Sequence, residues 1–224
     1  MLREIVPGIY AIEGLKTGRA YLVDDADGLT LIDTSSPGAA DAIIKACDEV
    51  RRPAWALKTI ITTHYHYDHT GNVQTLRERT GATFYAHIDD VPYIDGTTPW
   101  GTGREPGFVK RLQPTPYALK VDRMLSDGDI VPAAGGLTVV HAPGHTPGHI
   151  ALHSAERRVL FSGDAFMNTA GLRMIPVSAH DTEQARASVR KLAALEFDHA
   201  LPGHGQPVLS KADEKLREFA RRWL

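Results

Sequence analysis

The chain has one cysteine in 224 residues, Cys47, so no intramolecular disulfide can form and no oxidising compartment is required. Positive charge is not in excess. Lys and Arg number 25 against 27 Asp and Glu, the formal net charge is -2 and the pI is near 6.6. The chain therefore lacks the overall basic field that phosphate-backbone binding draws on, and no nucleic-acid partner is expected. Long hydrophobic runs are missing too: no apolar stretch approaches the ~18 to 20 residues that span a bilayer. The segment from Met1 to Tyr10 has no apolar core behind a basic start, so neither membrane attachment nor export is expected, and the expected location is the cytoplasm. Short-period repeats and low-complexity tracts are absent as well. At 42% hydrophobic residues, a chain of this length can bury one sizeable core, and a single domain over residues 1–224 is expected.

Histidine, by contrast, is concentrated. In His64-Tyr-His66-Tyr-Asp68-His69, three imidazoles and a carboxylate fall within six residues, just after the apolar run Leu57–Thr62, which reads as a buried strand. In extended backbone alternate side chains share a face, so His64, His66 and Asp68 can point one way while His69 turns to a neighbouring position. That arrangement suits two adjacent metals better than one. A single histidine beside a strand is ordinarily a hydrogen-bonded core or surface residue. Several packed together leave ring nitrogens unsatisfied unless the cluster faces solvent or binds something. Three further candidate stretches follow: His141-Ala-Pro-Gly-His145-Thr-Pro-Gly-His149, Ser162-Gly-Asp164 and Pro202-Gly-His204.

Taken in order, the chain reads as strands followed by helices, twice over. Ile5–Ile12, Ala20–Val23 and Leu29–Ile32 are expected as a meander, with Asp24–Gly28 as a turn. Thr34-Ser-Ser-Pro37 offers a hydroxyl cap and a proline for a helix whose apolar positions are Ala40, Ile43, Ile44 and Cys47. A second helix is expected from Thr70 to a stop at Gly81, then a strand at Ala82–His87. Residues 88–119 lose clear periodicity and accumulate proline, glycine and aromatics including Tyr93 and Trp100; a movable cover over one side of a pocket is expected there. Strands return at Val121–Leu125, Ile130–Val131, Leu137–His141, His149–Ser154 and Val159–Ser162. Asp181 opens a helix with Ala185, Val189, Leu192 and Leu195 as its buried stripe, and a strand at 199–201 precedes a charged helix from Ser210. Repetition on this scale suggests two α/β halves packed sheet to sheet with helices outside.

The set His64-x-His66-x-Asp68-His69, Gly144-His145, Gly163-Asp164 and Gly203-His204, together with the strand end Leu31-Ile-Asp33, resembles the metallo-β-lactamase superfamily over nearly the whole chain. The resemblance implies an α/β fold of the α+β type, a four-layer αββα sandwich with a dinuclear metal site at one edge of the sheets. It implies His64, His66 and His145 around one metal, Asp68, His69 and His204 around the other, and Asp164 bridging both. Two divalent ions are expected, zinc first, with iron or manganese as alternatives. A hydroxide shared between the metals is the expected nucleophile. Asp68 and His180 are the candidate catalytic side chains, His180 because it follows the Asp164 loop and precedes a helix. Asp33 reads either as an acceptor orienting a ligand histidine or as a strand-end cap, and His141, His149 and His153 read as structural.

The expected substrate is a small molecule carrying an ester, lactone or thioester carbonyl, with lactonase- or esterase-like action foremost. Two alternatives stand beside it. One is a glyoxalase II-like thioesterase, disfavoured because only residues 205–224 follow His204, where such enzymes usually carry a helical extension. The other is a persulfide dioxygenase, which would use one iron held by two histidines and an aspartate. Aromatics in the 88–119 segment could also bury against a second subunit, making a homodimer possible.

Overall fold

Successive side chains of a strand point to opposite faces, and Tyr21 and Val23 accordingly join one apolar cluster while Leu22 joins another. This division organises the computed structural model, which describes residues 1–100, 118–174 and 179–223. Seven strands form one sheet in sequence order: β1 (Leu2–Val6), β2 (Ile9–Ile12), β3 (Tyr21–Asp25), β4 (Gly28–Ile32), β5 (Leu57–Ile61), β6 (Thr83–His87) and β7 (Arg123–Leu125). A second sheet is built from β8 (Ile130–Val131), β9 (Leu137–His141), β10 (Ile150–Ser154), β11 (Val159–Gly163) and the late strand His199–Pro202, which pairs in parallel with β11.

The two sheets meet through one shared cluster. Ile9, Tyr21, Val23 and Ile61 from the first interleave with Val139, Ile150, Leu152 and Phe161 from the second. The outer face of the first sheet, with Leu22, Leu31, Ile60 and Phe84, is covered by Ile43 and Cys47 of α1 (Ala40–Glu49) and by Leu76 of α3 (Val73–Thr80). Val140, Ala151 and Leu160 on the outer face of the second sheet pack under Val189 and Leu192 of helix Thr182–Ala193 and Leu216 of helix Ala212–Trp223. Helix, sheet, sheet, helix is the layer order that the sequence resemblance implies. Among the described residues no helix is long and apolar enough to cross a membrane.

Three local expectations are corrected. The run Ile5–Ile12 is two strands, because Pro7 has no N–H to give a ladder and Gly8 turns the chain at φ +79°. Thr34–Pro37 do not cap α1, which starts at Ala40. The Asn72 side chain does so from across the fold, its Oδ1 accepting from the N–H groups of Gly38, Ala39 and Ala40 at 3.1, 2.9 and 3.1 Å. The segment expected to be irregular from 88 opens with a 3₁₀ turn (Ile88–Asp90) and a helical turn (Val91–Ile94). The cover expected over 88–119 falls largely on residues 101–117, outside the described residues.

Candidate metal centre

β4, β5 and β6 run parallel, as do β11 and the strand His199–Pro202, so the loops after their C-terminal ends gather the polar side chains. After β5 the backbone bends through residues 63–65, is extended at His66 (φ -60°, ψ 149°) and then enters the helical turn α2 (Tyr67–Thr70). Helix thus begins one turn before the expected Thr70. Asp68 leaves the strand alternation that would have aligned it with His64 and His66, and it projects from α2 together with His69.

The three imidazoles of one set converge. His64 Nε2 lies 3.0 Å from His66 Nδ1, and His145 Nε2 lies 3.2 and 3.1 Å from those two atoms. Each such nitrogen offers either one proton or one lone pair along one direction, and donors and acceptors cannot alternate around a ring of three. A cation among them satisfies all three at once. The tautomer of His64 fits this: its Nδ1 is 3.1 Å from the Thr63 hydroxyl, which donates to Asp33 Oδ2 at 2.8 Å, leaving Nε2 free for the centre.

The second set is formed by Asp68, His69 and His204. His69 Nδ1 lies 2.8 Å from Asp33 Oδ2, and Asp33 Oδ1 also accepts from the Thr63 N–H at 2.7 Å. Asp33 therefore orients a histidine of the cluster, beyond ending a strand. His204 Nε2 is 3.2 Å from Asp68 Oδ2 and 3.3 Å from Asp164 Oδ2, while Asp164 Oδ2 is also 3.6 Å from His145 Nε2. Asp164 thus touches both sets. His69 Nε2 and Asp164 Oδ1 are buried without hydrogen-bond partners, the arrangement expected where a cation completes the shell. Gly203 is required here, since a Cβ would collide with Asp164 Oδ1 and the His69 ring.

Charge follows the same division. Burial, then the neighbouring histidines, holds His64 and His145 well below the usual imidazole range, and burial lowers His66 to about 4. Their lone pairs are free at neutral pH. Burial alone would raise Asp68, but the His204 hydrogen bond and the charges of His69 and His204 together outweigh it and bring Asp68 to about 2; Asp164 is held low mainly by His69 and His204 against its own burial. Burial opposes charging of His69 and His204, yet their carboxylate partners push them up to about 9 and 10. The neutral imidazoles of the first set and the ionised carboxylates of the second are donors that divalent metals use, and a cation at the second set would displace the protons of His69 and His204.

All seven metal-ligand candidates come together, and His180 reaches their border. Its N–H donates to the His145 carbonyl at 3.3 Å, and its Nε2 lies 2.8 Å from the Tyr65 hydroxyl. Tyr65 in turn stacks on Tyr93 at 4.6 Å and lies 5.7 Å from the Trp100 ring. His149 supports the centre from behind: its Nδ1 lies 3.1 Å from the Ala142 carbonyl and its Nε2 accepts the Asp164 N–H at 2.9 Å. Sequence reasoning missed that link, although the tandem Pro143-Gly-His145 and Pro147-Gly-His149 hinted at paired roles. A further group, His87, Asp89 and His141, has one nitrogen of each ring already engaged, with His141 Nε2 donating to the Pro147 carbonyl at 2.9 Å and His87 Nδ1 accepting the Asp89 N–H at 3.3 Å. Beside His204, a cavity of about 240 Å³ opens under the loop from Glu13 to Arg19. The larger groove of 870 Å³ between helices Thr182–Ala193 and Ala212–Trp223 is rimmed by charged heads such as Lys211, Glu214 and Arg217 and holds none of the clustered histidines.

A sandwich of two sheets with this histidine and aspartate cluster at its edge defines a class of metal-binding hydrolytic fold. The chain belongs to the metallo-beta-lactamase superfamily, whose family model matches residues 14–204. It is 31% identical to a probable metallo-hydrolase, YflN, of Bacillus subtilis, across 90% of this chain and 84% of that one. A hydroxyacylglutathione hydrolase of Cereibacter sphaeroides is 32% identical across 81% of this chain, which spans only 59% of that protein's length. Hydroxyacylglutathione hydrolase GloC of Haemophilus influenzae is 27% identical across 96% of both chains. Among solved structures, BJP-1, a subclass B3 metallo-beta-lactamase of Bradyrhizobium japonicum, superposes with a TM-score of 0.77 at 26% identity, covering 98% of this chain and 89% of that one.

Proposed function

We propose that this protein is a dinuclear metal-dependent hydrolase that acts on an ester, lactone or thioester carbonyl of a small molecule in the cytoplasm. The observation that carries this reading is the contact of one carboxylate, Asp164, with both ligand sets. His64, His66 and His145 would hold one ion and Asp68, His69 and His204 the other, with Asp164 shared. When bound, two such ions, zinc first and iron or manganese otherwise, supply Lewis acidity at the carbonyl oxygen and water ionised near neutral pH. The protein's own residues orient the parts. Asp33 fixes the His69 ring, Thr63 fixes His64, and His149 anchors the Asp164 backbone. His180, tied to the His145 carbonyl and paired with Tyr65, would handle the leaving-group proton.

Thioesters enter the substrate class on equal terms with lactones and esters. GloC, a relative matched across 96% of both chains, carries the name hydroxyacylglutathione hydrolase. A screen of glutathione thioesters, lactones, aryl esters and β-lactams, with metal content measured in parallel, tests the reading. Two ions per chain and hydrolysis that chelation abolishes and zinc restores are expected. One iron per chain with oxygen uptake and no hydrolysis would overturn it.

A further inference from the structure

Asp90 is a carboxylate outside the ligand set, yet it is only 1% exposed. Its Oδ2 accepts from the Tyr65 N–H at 3.0 Å and the Thr146 hydroxyl at 2.9 Å, and its Oδ1 accepts from the Gly148 N–H at 2.6 Å. Tyr65 lies between His64 and His66, and Thr146 follows His145. One side chain thus joins the two loops that carry the three converging imidazoles. The other set is anchored elsewhere, His69 by Asp33 and by the Thr34 N–H and hydroxyl on its carbonyl, both at 2.8 Å.

The join is rigid for physical reasons. A buried carboxylate is costly unless its lone pairs are used, and three short donors on two oxygens use them in one geometry. The approach is also close: a Cβ on Gly148 would overlap the Asp90 backbone and side chain. Sequence offered no sign of this, because an aspartate in Ile88-Asp-Asp90 looks like a turn residue.

We propose that Asp90 is a positioning residue that sets the spacing of the His64/His66 loop from the His145 loop, and so governs metal affinity at that three-imidazole set and not at Asp68/His69/His204. This rests on the assignment of the two ligand sets to two ions. Two backgrounds separate them. His204→Ala leaves the three-imidazole set intact, and His145→Ala leaves the other. Asp90→Asn preserves shape but turns an amide N–H toward the Gly148 N–H or toward the Tyr65 and Thr146 donors. Zinc affinity is read by competition with a chromophoric chelator. In the His204→Ala background Asp90→Asn should weaken zinc binding about 10- to 100-fold, the range for groups that orient metal ligands, and in the His145→Ala background by less than about threefold. Thr146→Val, which removes one donor only, should give a smaller loss with the same selectivity, and it carries the test if Asp90→Asn fails to fold. Equal loss in both backgrounds, or none in the first, overturns the proposal. Failure of the dinuclear reading looks different: the parent protein would then bind one ion whatever stands at position 90.

Discussion

His69 Nε2 and Asp164 Oδ1 face each other across 3.5 Å in the interior, and neither atom has a hydrogen-bond partner. Two buried polar atoms left open in this way would each cost about 1–3 kcal/mol, so a fold that keeps them open keeps them for a ligand. Asp164→Ala removes the carboxylate that both sets share. Bound metal, measured by atomic emission, should drop from the proposed two ions per chain to one or fewer. Hydrolytic turnover should fall by at least about 100-fold, the upper range seen for mere orienting groups.

His149 holds the Asp164 backbone through a neutral ring buried on all sides, and burial lowers its protonation range to about 4. His149→Ala strands the Asp164 N–H and the Ala142 carbonyl. Zinc affinity should weaken about 10-fold or more, and denaturant unfolding should show a loss of about 1–3 kcal/mol. A variant with normal zinc affinity would show that the link is structural only.

Asn72 satisfies three N–H groups at the start of α1 and donates to the carbonyls of Thr34 and Ser36 at 2.6 and 2.8 Å. Replacing it by alanine should destabilise the fold by about 2 kcal/mol or more, since one missing helix cap costs ~1 and here further buried groups lose partners. Asn72→Asp should not rescue it, because the carboxylate then faces those carbonyls. Thermal unfolding of the two variants checks both statements.

His87 is buried and stacks on His141 at 4.1 Å; burial first, then His141, lowers it to about 4 despite Asp89, Asp127 and Asp129. Unfolded, the same ring titrates near ~6.5, so between the two values the unfolded chain binds more protons. Its contribution to stability is present above about pH 6.5 and is lost as pH falls toward 4. Denaturation midpoints from pH 7.5 to 5 in chelator should fall less steeply for His87→Gln than for the parent.

The cluster His64-x-His66-x-Asp68-His69 was legible in the sequence, because metal chemistry limits ligands to a few side chains and this spacing is local, whereas His145, Asp164 and His204 joined it through the family resemblance. The layered fold was legible too, since the continuous apolar runs Tyr21–Val23 and Val159–Phe161, buried on both faces, mark covered strands and the helical stripe Ala185, Val189, Leu192 marks the face laid on a sheet. Where sequence reasoning erred, the causes differ. Asn72 caps α1 from 33 positions along the chain from Ala39, a non-local contact, whereas Asp68 left the strand locally, because helix α2 begins at Tyr67.

Apart from Asp33, for which the sequence offered an orienting role beside that of a strand-end cap, the supporting residues belong to tertiary structure. Asp33 meets His69 and Thr63, Asp90 meets Tyr65, Thr146 and Gly148, and His149 meets Asp164, each across a sequence separation that no periodicity records. A ligand histidine advertises itself by its own chemistry, which the sequence alone determines. A carboxylate that orients it is an ordinary aspartate until packing brings the two to hydrogen-bond distance.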